Sequence, residues 1–165
     1  MKAVAFESAD KALAVQELPI PEPGPGQLLL KVAACGICGS DLHAYQASQS
    51  PHGTVFGHEF SGEVAAVGDG VTDWQVGDRA ISLGAMFCGQ CASCQQGLFA
   101  QCENLELIGF TRQGAYAEYV VTQAAASTRI PDDIDYPQAA LVEPLAVGLA
   151  AFRDCQLPLG GNEFI

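Results

Sequence analysis

Basic residues are scarce in this chain. Seven Lys and Arg stand against 19 Asp and Glu in 165 residues, a formal net charge of −12. A surface so short of positive charge is repelled by phosphate backbones and anionic lipid, which excludes non-specific binding to nucleic acid or to a membrane surface. Long hydrophobic runs are also missing. Nothing approaches the roughly 18 consecutive apolar residues of a membrane span. The first ten residues carry a single Lys, Lys2, and no extended apolar stretch, unlike a secretory signal. These absences point to a cytoplasmic protein. Charged residues are 16% and hydrophobic residues 49%, a globular composition with core enough for one domain.

Glycine, proline and cysteine are plentiful, at 18, 9 and 7. Many Gly and Pro suit short strands joined by turns. Strands are predicted at 2–6, with a hairpin partner at 12–17, and at 28–34, 61–67, 79–83, 115–122 and 126–130. The Pro-rich segment 19–26 is predicted as a loop or edge, because Pro cannot donate to a sheet ladder. Gly68-Asp69-Gly70 and Gly77-Asp78 mark turns. Strands this closely spaced predict a mainly β barrel or sandwich with a few short helices. From Tyr136 to Phe152 the pattern becomes helical and rich in Ala and Leu. Pro144 forbids one unbroken helix but suits the first turn of a second, with Glu143 near its N-cap.

In a reducing compartment cysteines serve as metal ligands more often than as disulfides. Cys88, Cys91, Cys94 and Cys102 follow a C-x2-C-x2-C-x7-C spacing, four thiols within 15 residues. Four thiolates complete a tetrahedral zinc and leave no open position, so this site is predicted to be structural. The competing reading, a thioredoxin-like redox pair, needs a βαβ setting and two cysteines, and neither fits.

A second constellation is dispersed. Cys38 lies in Gly36-Ile37-Cys38-Gly39-Ser40-Asp41-Leu42-His43, and His58 with Glu59 follows 20 residues after Cys38. A thiolate, an imidazole and a carboxylate make the open kind of zinc site, which keeps a place for water or substrate. Taken singly, each piece is weak. A lone Cys is most often a small buried hydrophobe, and a His beside a Glu is most often a surface pair.

Taken together, the motifs resemble those of the zinc-dependent medium-chain dehydrogenase family along the whole chain. They are the segment from Cys38 to His43, Gly57-His58-Glu59, Gly62-Glu63-Val64, Val76-Gly77-Asp78-Arg79, the four-cysteine loop, Gly114-Ala115-Tyr116-Ala117-Glu118-Tyr119 and Glu143-Pro144-Leu145-Ala146, in that order. The resemblance implies a GroES-like barrel as catalytic domain over residues 1–153. Residues 154–165 would be the approach to a Rossmann domain that lies beyond this chain. It implies two zinc ions, with NAD or NADP serving the longer enzyme. Cys38 and His58 match ligands of the catalytic zinc. Glu59 matches a residue that ligates in some members and stands behind the metal in others. Glu143 falls where the best-known alcohol dehydrogenases have a second cysteine ligand, as in the polyol and butanediol branch. Asp41 matches a carboxylate that orients the liganding histidine. Ser40 matches the hydroxyl that relays the substrate proton, and His43 the next group toward solvent. Zinc would act as a Lewis acid on the alcohol oxygen, and the nicotinamide would accept the hydride. The expected reaction interconverts a secondary alcohol with a ketone or aldehyde.

Two features depart from that pattern or lie outside it. Ala44 stands where sorbitol dehydrogenases carry an aromatic, which argues against sorbitol as substrate. Cys35 and Cys155 belong to neither ligand set and are expected to be ordinary thiols. A G-x-G-x-x-G turn is also missing. Gly24-Pro25-Gly26 and Gly68-Asp69-Gly70 both lack the third Gly, and the resemblance places that turn shortly after Gly161. The intact enzyme is therefore expected at about twice this length, as a dimer or tetramer. Residues 1–165 alone are expected to bind zinc without oxidising alcohols. Leu141, Val142, Leu145, Val147, Leu149 and Phe152 are expected to form an apolar patch that favours self-association. The alternative of another class is a free-standing zinc-binding or interaction module with a GroES-like barrel and no redox activity. It leaves Cys38, Ser40, His43, His58 and Glu143 without a purpose.

Overall fold

The computed structural model describes residues 1–47 and 50–154. Cys155 and the segment 155–165 lie outside the described residues, and so does the approach to a further domain expected there. The strands are β1 (Lys2–Ala5), β2 (Ala14–Glu17), β3 (Gln27–Cys35), β4 (Phe60–Val67), β5 (Arg79–Ser82), β6 (Ala85–Met86), β7 (Glu106–Leu107), β8 (Tyr119–Gln123) and β9 (Ser127–Arg129). The helices are α1 (Gly39–Ala47), α2 (Ala92–Gln95), α3 (Tyr136–Ala140) and α4 (Val142–Asp154). The architecture is mainly β, with short helices and a helical C-terminal segment, as the sequence predicts.

Five strands form one antiparallel sheet in the order β8-β3-β4-β5-β9. Central β3 is buried along Leu28, Leu29 and Leu30, which meet Val120 and Val121 of β8 and Ala66 and Val64 of β4. A strand apolar on both sides is what a central position requires. The main core gathers Leu28, Leu30, Phe60, Val64, Trp74 and Ile108. At about 25 cal/mol per Å² of apolar area, this burial is the main driving force for the fold.

The antiparallel β1–β2 hairpin forms a separate two-stranded sheet, tied by backbone bonds to the segment that leads into β8. Val4 N–H donates to the Tyr116 carbonyl at 2.7 Å, and Glu118 N–H donates to the Lys2 carbonyl at 3.0 Å. With the Ala115 and Tyr116 N–H groups donating to the Gly57 and Phe56 carbonyls, these bonds occupy the segment from Ala115 to Glu118, so β8 is shorter than the predicted strand at 115–122.

Helix α1 has no amphipathic stripe, and Leu42 is exposed. Its ends are fixed by other means. Asp41, third in the helix, reaches back to accept the Cys38 N–H at 3.0 Å, half of a capping box, and its charge suits the helix N-terminus. At the far end Tyr45 packs edge-on against Phe6, 5.9 Å between centroids, and its hydroxyl donates to the Lys11 carbonyl at 2.8 Å.

Helix α3 is capped by Asp135 and Gln138, each accepting the other's backbone N–H, at 2.8 and 3.1 Å. Ser61 Oγ donates to the Tyr136 carbonyl at 2.7 Å, and the Arg79 guanidinium lies 4.7 Å over the Tyr136 ring. Both contacts dock α3 on the sheet and so place the start of α4. Pro144 is the third residue of α4, where its missing N–H costs nothing. The apolar face expected on 141–152 is exposed, from 38% at Phe152 to 61% at Leu141. Among the described residues no helix is long and apolar enough to cross a membrane.

Candidate metal centres

Among the described residues two clusters of ligand side chains form. In the first, the thiols of Cys88, Cys91, Cys94 and Cys102 all lie within 4.8 Å of one another. The ribbon β6–β7 closes the base of the loop, and α2 and a 3-10 turn at Phe99–Gln101 fold it back on itself. Phe87 and Phe99 stack at 4.2 Å, while the Gln123 amide both accepts from and donates to the Phe87 backbone, at 3.0 and 2.9 Å. Backbone N–H groups point at sulfur: Cys88 N to Cys102 Sγ at 3.3 Å, Cys91 N to Cys88 Sγ at 3.4 Å and Asn104 N to Cys102 Sγ at 3.4 Å. Donors aimed at sulfur favour thiolates. The N–H groups of Gln90 and Cys91 pull the Cys88 thiol below its ordinary value. Burial pushes Cys94 the other way. Sulfurs held this close, some favoured as anions, fit a cation of tetrahedral preference.

The second cluster brings Cys38, His58 and Glu59 together, their ligand atoms also within 4.8 Å of one another. Sheet register does this. Cys35 at the end of β3 pairs with Phe60 at the start of β4, so the residues running out of β3 meet those running into β4. Gly36 N–H donates to the Glu59 carbonyl at 2.7 Å and locks that corner. A Cβ at Gly36 would lie 2.2 Å from Glu59 Oε2, so a larger residue here would push the Glu59 carboxylate aside.

The electrostatics suit a metal ligand set. The hydroxyl and then the backbone N–H of Ser40 draw the Cys38 thiol below its ordinary value. His58 is raised to about 9, chiefly by the Asp41 carboxylate, with burial opposing and Cys38 adding to it. Burial alone would raise Asp41, but His58, the Tyr116 hydroxyl and the Cys38 N–H outweigh it and hold the carboxyl below the usual range. His58 Nδ1 stands 3.6 Å from Asp41 Oδ1, too long for a hydrogen bond, and is buried with no hydrogen-bond partner among the described residues. The Phe110 ring covers the imidazole at 5.4 Å. Burial, then the Asp41 charge, push the Tyr116 phenol far above its usual range, so it remains a donor.

The other sequence-predicted residues fall around this cluster. Ser40 is half-buried in the first turn of α1 and His43, three residues on, is exposed. Asp41 is buried at 3% exposure. Glu143 is half-buried at the start of α4, in a cleft of about 120 Å³ shared with Phe60, Leu83 and Val142. Burial raises its carboxyl, partly offset by His58 and reinforced by Glu59 and Asp41. Glu143 thus lies in the field of the cluster, yet the mutually close set comprises Cys38, His58 and Glu59. Cys35 is partly buried, and its thiol is pushed up to about 12, chiefly by burial. Its partial burial agrees with the ordinary thiol the sequence suggests. The sequence reading overlooks Tyr116, whose hydroxyl lies 2.8 Å from Asp41 Oδ2.

The sequence profile of the "Alcohol dehydrogenase GroES-like domain" matches residues 24–132. Alcohol dehydrogenase patD of Aspergillus clavatus is 41% identical over 165 aligned residues, covering 96% of this chain and 42% of its own length. Galactitol-1-phosphate dehydrogenase from Escherichia coli superposes with a TM-score of 0.87 at 35% identity, over 94% of this chain and 45% of that one. A candidate zinc-binding dehydrogenase from Sinorhizobium meliloti 1021, solved with NADP, gives 0.82 at 40% identity, over 92% and 44%. The chain thus spans less than half the length of each of these.

Proposed function

Because this chain belongs to the alcohol dehydrogenase GroES-like family, we propose that residues 1–153 form the catalytic domain of a zinc- and nicotinamide-dependent dehydrogenase of secondary alcohols or polyols. The observation that carries this reading is the convergence of Cys38, His58 and Glu59 within 4.8 Å, beside a separate four-thiol cluster. A closed four-sulfur set needs only to hold a loop. An open set of mixed ligands is useful for chemistry.

The donor set fits zinc. Cys38 is pulled toward the thiolate, and the buried His58 Nδ1 faces a carboxylate that can orient the ring. Cys38, His58 and a carboxylate would hold the ion. Glu59 stands nearest in this arrangement, and Glu143 lies in the electrostatic field of the same cluster. Zinc bound there supplies a Lewis acid for the alcohol or carbonyl oxygen. The nicotinamide of NAD or NADP supplies the hydride acceptor. Ser40 would take the hydroxyl proton, and His43, at i+3 on the same helix face and open to solvent, would carry it away.

The similarity to an alcohol dehydrogenase and a polyol phosphate dehydrogenase supports the substrate class. We further place the enzyme in the cytoplasm, where thiolates stay free for metal, and read it as a homo-oligomer, a dimer or tetramer.

Elemental analysis of protein expressed with added zinc is the test. Two zinc ions per chain are expected. A content of one, retained in Cys38→Ala, would leave the open site without a metal and sink the catalytic reading.

Loading should depend on pH. The ligands must be deprotonated, so protons compete with the ion. With His58 raised to about 9 and Cys38 below its usual value, His58 is the group that holds its proton longest. Affinity of the open site is therefore expected to rise as pH increases toward 9 and to level off above it. Zinc uptake at pH 7 should release protons, measurable with an indicator dye. Uptake without proton release would show that His58 is not a ligand.

A further inference from the structure

We infer that Tyr116 is a positioning residue for the open metal site, its hydroxyl fixing the rotation of the Asp41 carboxylate so that the free oxygen faces His58. The inference rests on the reading of Cys38, His58 and Glu59 as that site.

An aspartate carboxylate turns easily about its last torsion, which is broad and roughly two-fold. Something must hold Asp41 if it is to orient an imidazole. Its Oδ2 is held by two donors, one local and one distant in the chain: the Cys38 N–H at 3.0 Å and the Tyr116 hydroxyl at 2.8 Å. That leaves Oδ1 directed at His58 Nδ1, 3.6 Å away, with the Gly57 N–H at 3.4 Å. The Cys38 contact lies within α1's own first turn and moves with it. The Tyr116 contact comes from a segment 75 residues further along the chain and provides an outside reference.

Tyr116 can serve as that reference because it is itself fixed. Its N–H donates to the Phe56 carbonyl at 2.9 Å, and its carbonyl accepts from Val4 at 2.7 Å. Its ring fills the space where a side chain at Gly57 would sit, with ring carbons 2.6 and 2.8 Å from an ideal Cβ. Gly57 has φ +94, open to glycine at little cost. The hydroxyl also lies 3.2 Å from the Gly36 carbonyl. Tyr116 therefore touches the turn that leads to Cys38, the residue before His58, and the carboxylate between them. Gly114-Ala115-Tyr116 supplies this through packing and one phenol.

The test compares the full chain with Tyr116→Phe, which keeps the ring and removes the hydroxyl. Each site's affinity is read by chelator competition with zinc and by the thiolate absorption bands of the cobalt(II)-loaded protein. Affinity at the open site is expected to fall about 10- to 100-fold, typical when a group supporting a metal ligand is lost. The four-cysteine site serves as internal control and should not change, nor should the melting temperature of the metal-free protein. In an Asp41→Ala background the same substitution should have no further effect, because the carboxylate it acts through is gone.

Wild-type affinity in Tyr116→Phe would overturn the inference. So would an equal loss at both metal sites, which marks a general packing defect, or an undiminished loss in the Asp41→Ala background. A wild-type chain that holds no metal at the open site would overturn it together with the reading beneath it. Two metals in the wild type, held equally tightly without the phenol, would remove Tyr116 alone.

Discussion

Cys91→Ala is expected to release one zinc per chain and to lower the melting temperature by on the order of 10 °C in a domain of this size. Cys38→Ala is expected to release one zinc with little change in melting. The contrast follows from how each site is built. Residues 88–102 contain one four-residue helix and one 3-10 turn, and few of their side chains are buried. Apart from the Phe87–Phe99 stack and the Gln123 clasp, little holds the loop besides its sulfurs. With one ligand gone, three thiolates are left to repel one another without a full coordination shell. The open site lies instead at the β3–β4 corner, on a sheet already stabilised by Leu28, Leu30, Phe60 and Val64. Removing the Cys38 thiol leaves that core and the Asp41 cap of α1 intact. Thermal unfolding of the two variants, with zinc counted in each, checks the assignment. A destabilised Cys38→Ala beside an unaffected Cys91→Ala would mean that the two roles are exchanged.

The ease of reading these two sites from sequence differed for the same reason. Cys88, Cys91, Cys94 and Cys102 are close in the chain, so spacing alone brings them together, and the structure places the four sulfurs side by side. Cys38 and His58 are 20 residues apart, and their meeting depends on the pairing of Cys35 with Phe60. No local pattern states that register, so motif resemblance had to carry the expectation. Strand positions were legible where side-chain pattern decides them, as in β3, β4 and β5. The strand read at 115–122 came out as 119–123, because Ala115 and Tyr116 spend their backbone bonds on 56 and 57. Helix α1 left no apolar signature, since its buried residue is the polar Asp41. The contact of Tyr116 with Asp41 spans 75 residues. A tyrosine in a run read as a strand gave no sign of what its hydroxyl would meet.

In the whole enzyme Ser40→Ala is expected to lower turnover by about 10²–10⁴-fold, the usual range for a lost general acid–base group, while the protein keeps its zinc. Ser40 follows Cys38 by two residues and precedes Asp41, in a first turn held by the Asp41 cap. Its hydroxyl is the largest influence drawing the Cys38 thiol down. Once the sulfur gives its lone pairs to a metal, that hydroxyl is free to bond a substrate oxygen. His43 stands one turn further along the helix and is exposed, so a proton has a short route to solvent. Two effects of Ser40→Ala must be separated. Loss of the interaction with Cys38 would weaken zinc binding through the thiol, and loss of the relay would slow alcohol oxidation at full zinc occupancy. The second should dominate, since metal coordination favours the thiolate far more than one hydroxyl does. Ser40→Thr retains the hydroxyl on a slightly larger side chain and should restore most of the turnover. The measurement is kcat against pH for the three proteins, each with its zinc counted. Full activity in Ser40→Ala at two zinc ions per chain would mean that water, or another group, carries the proton.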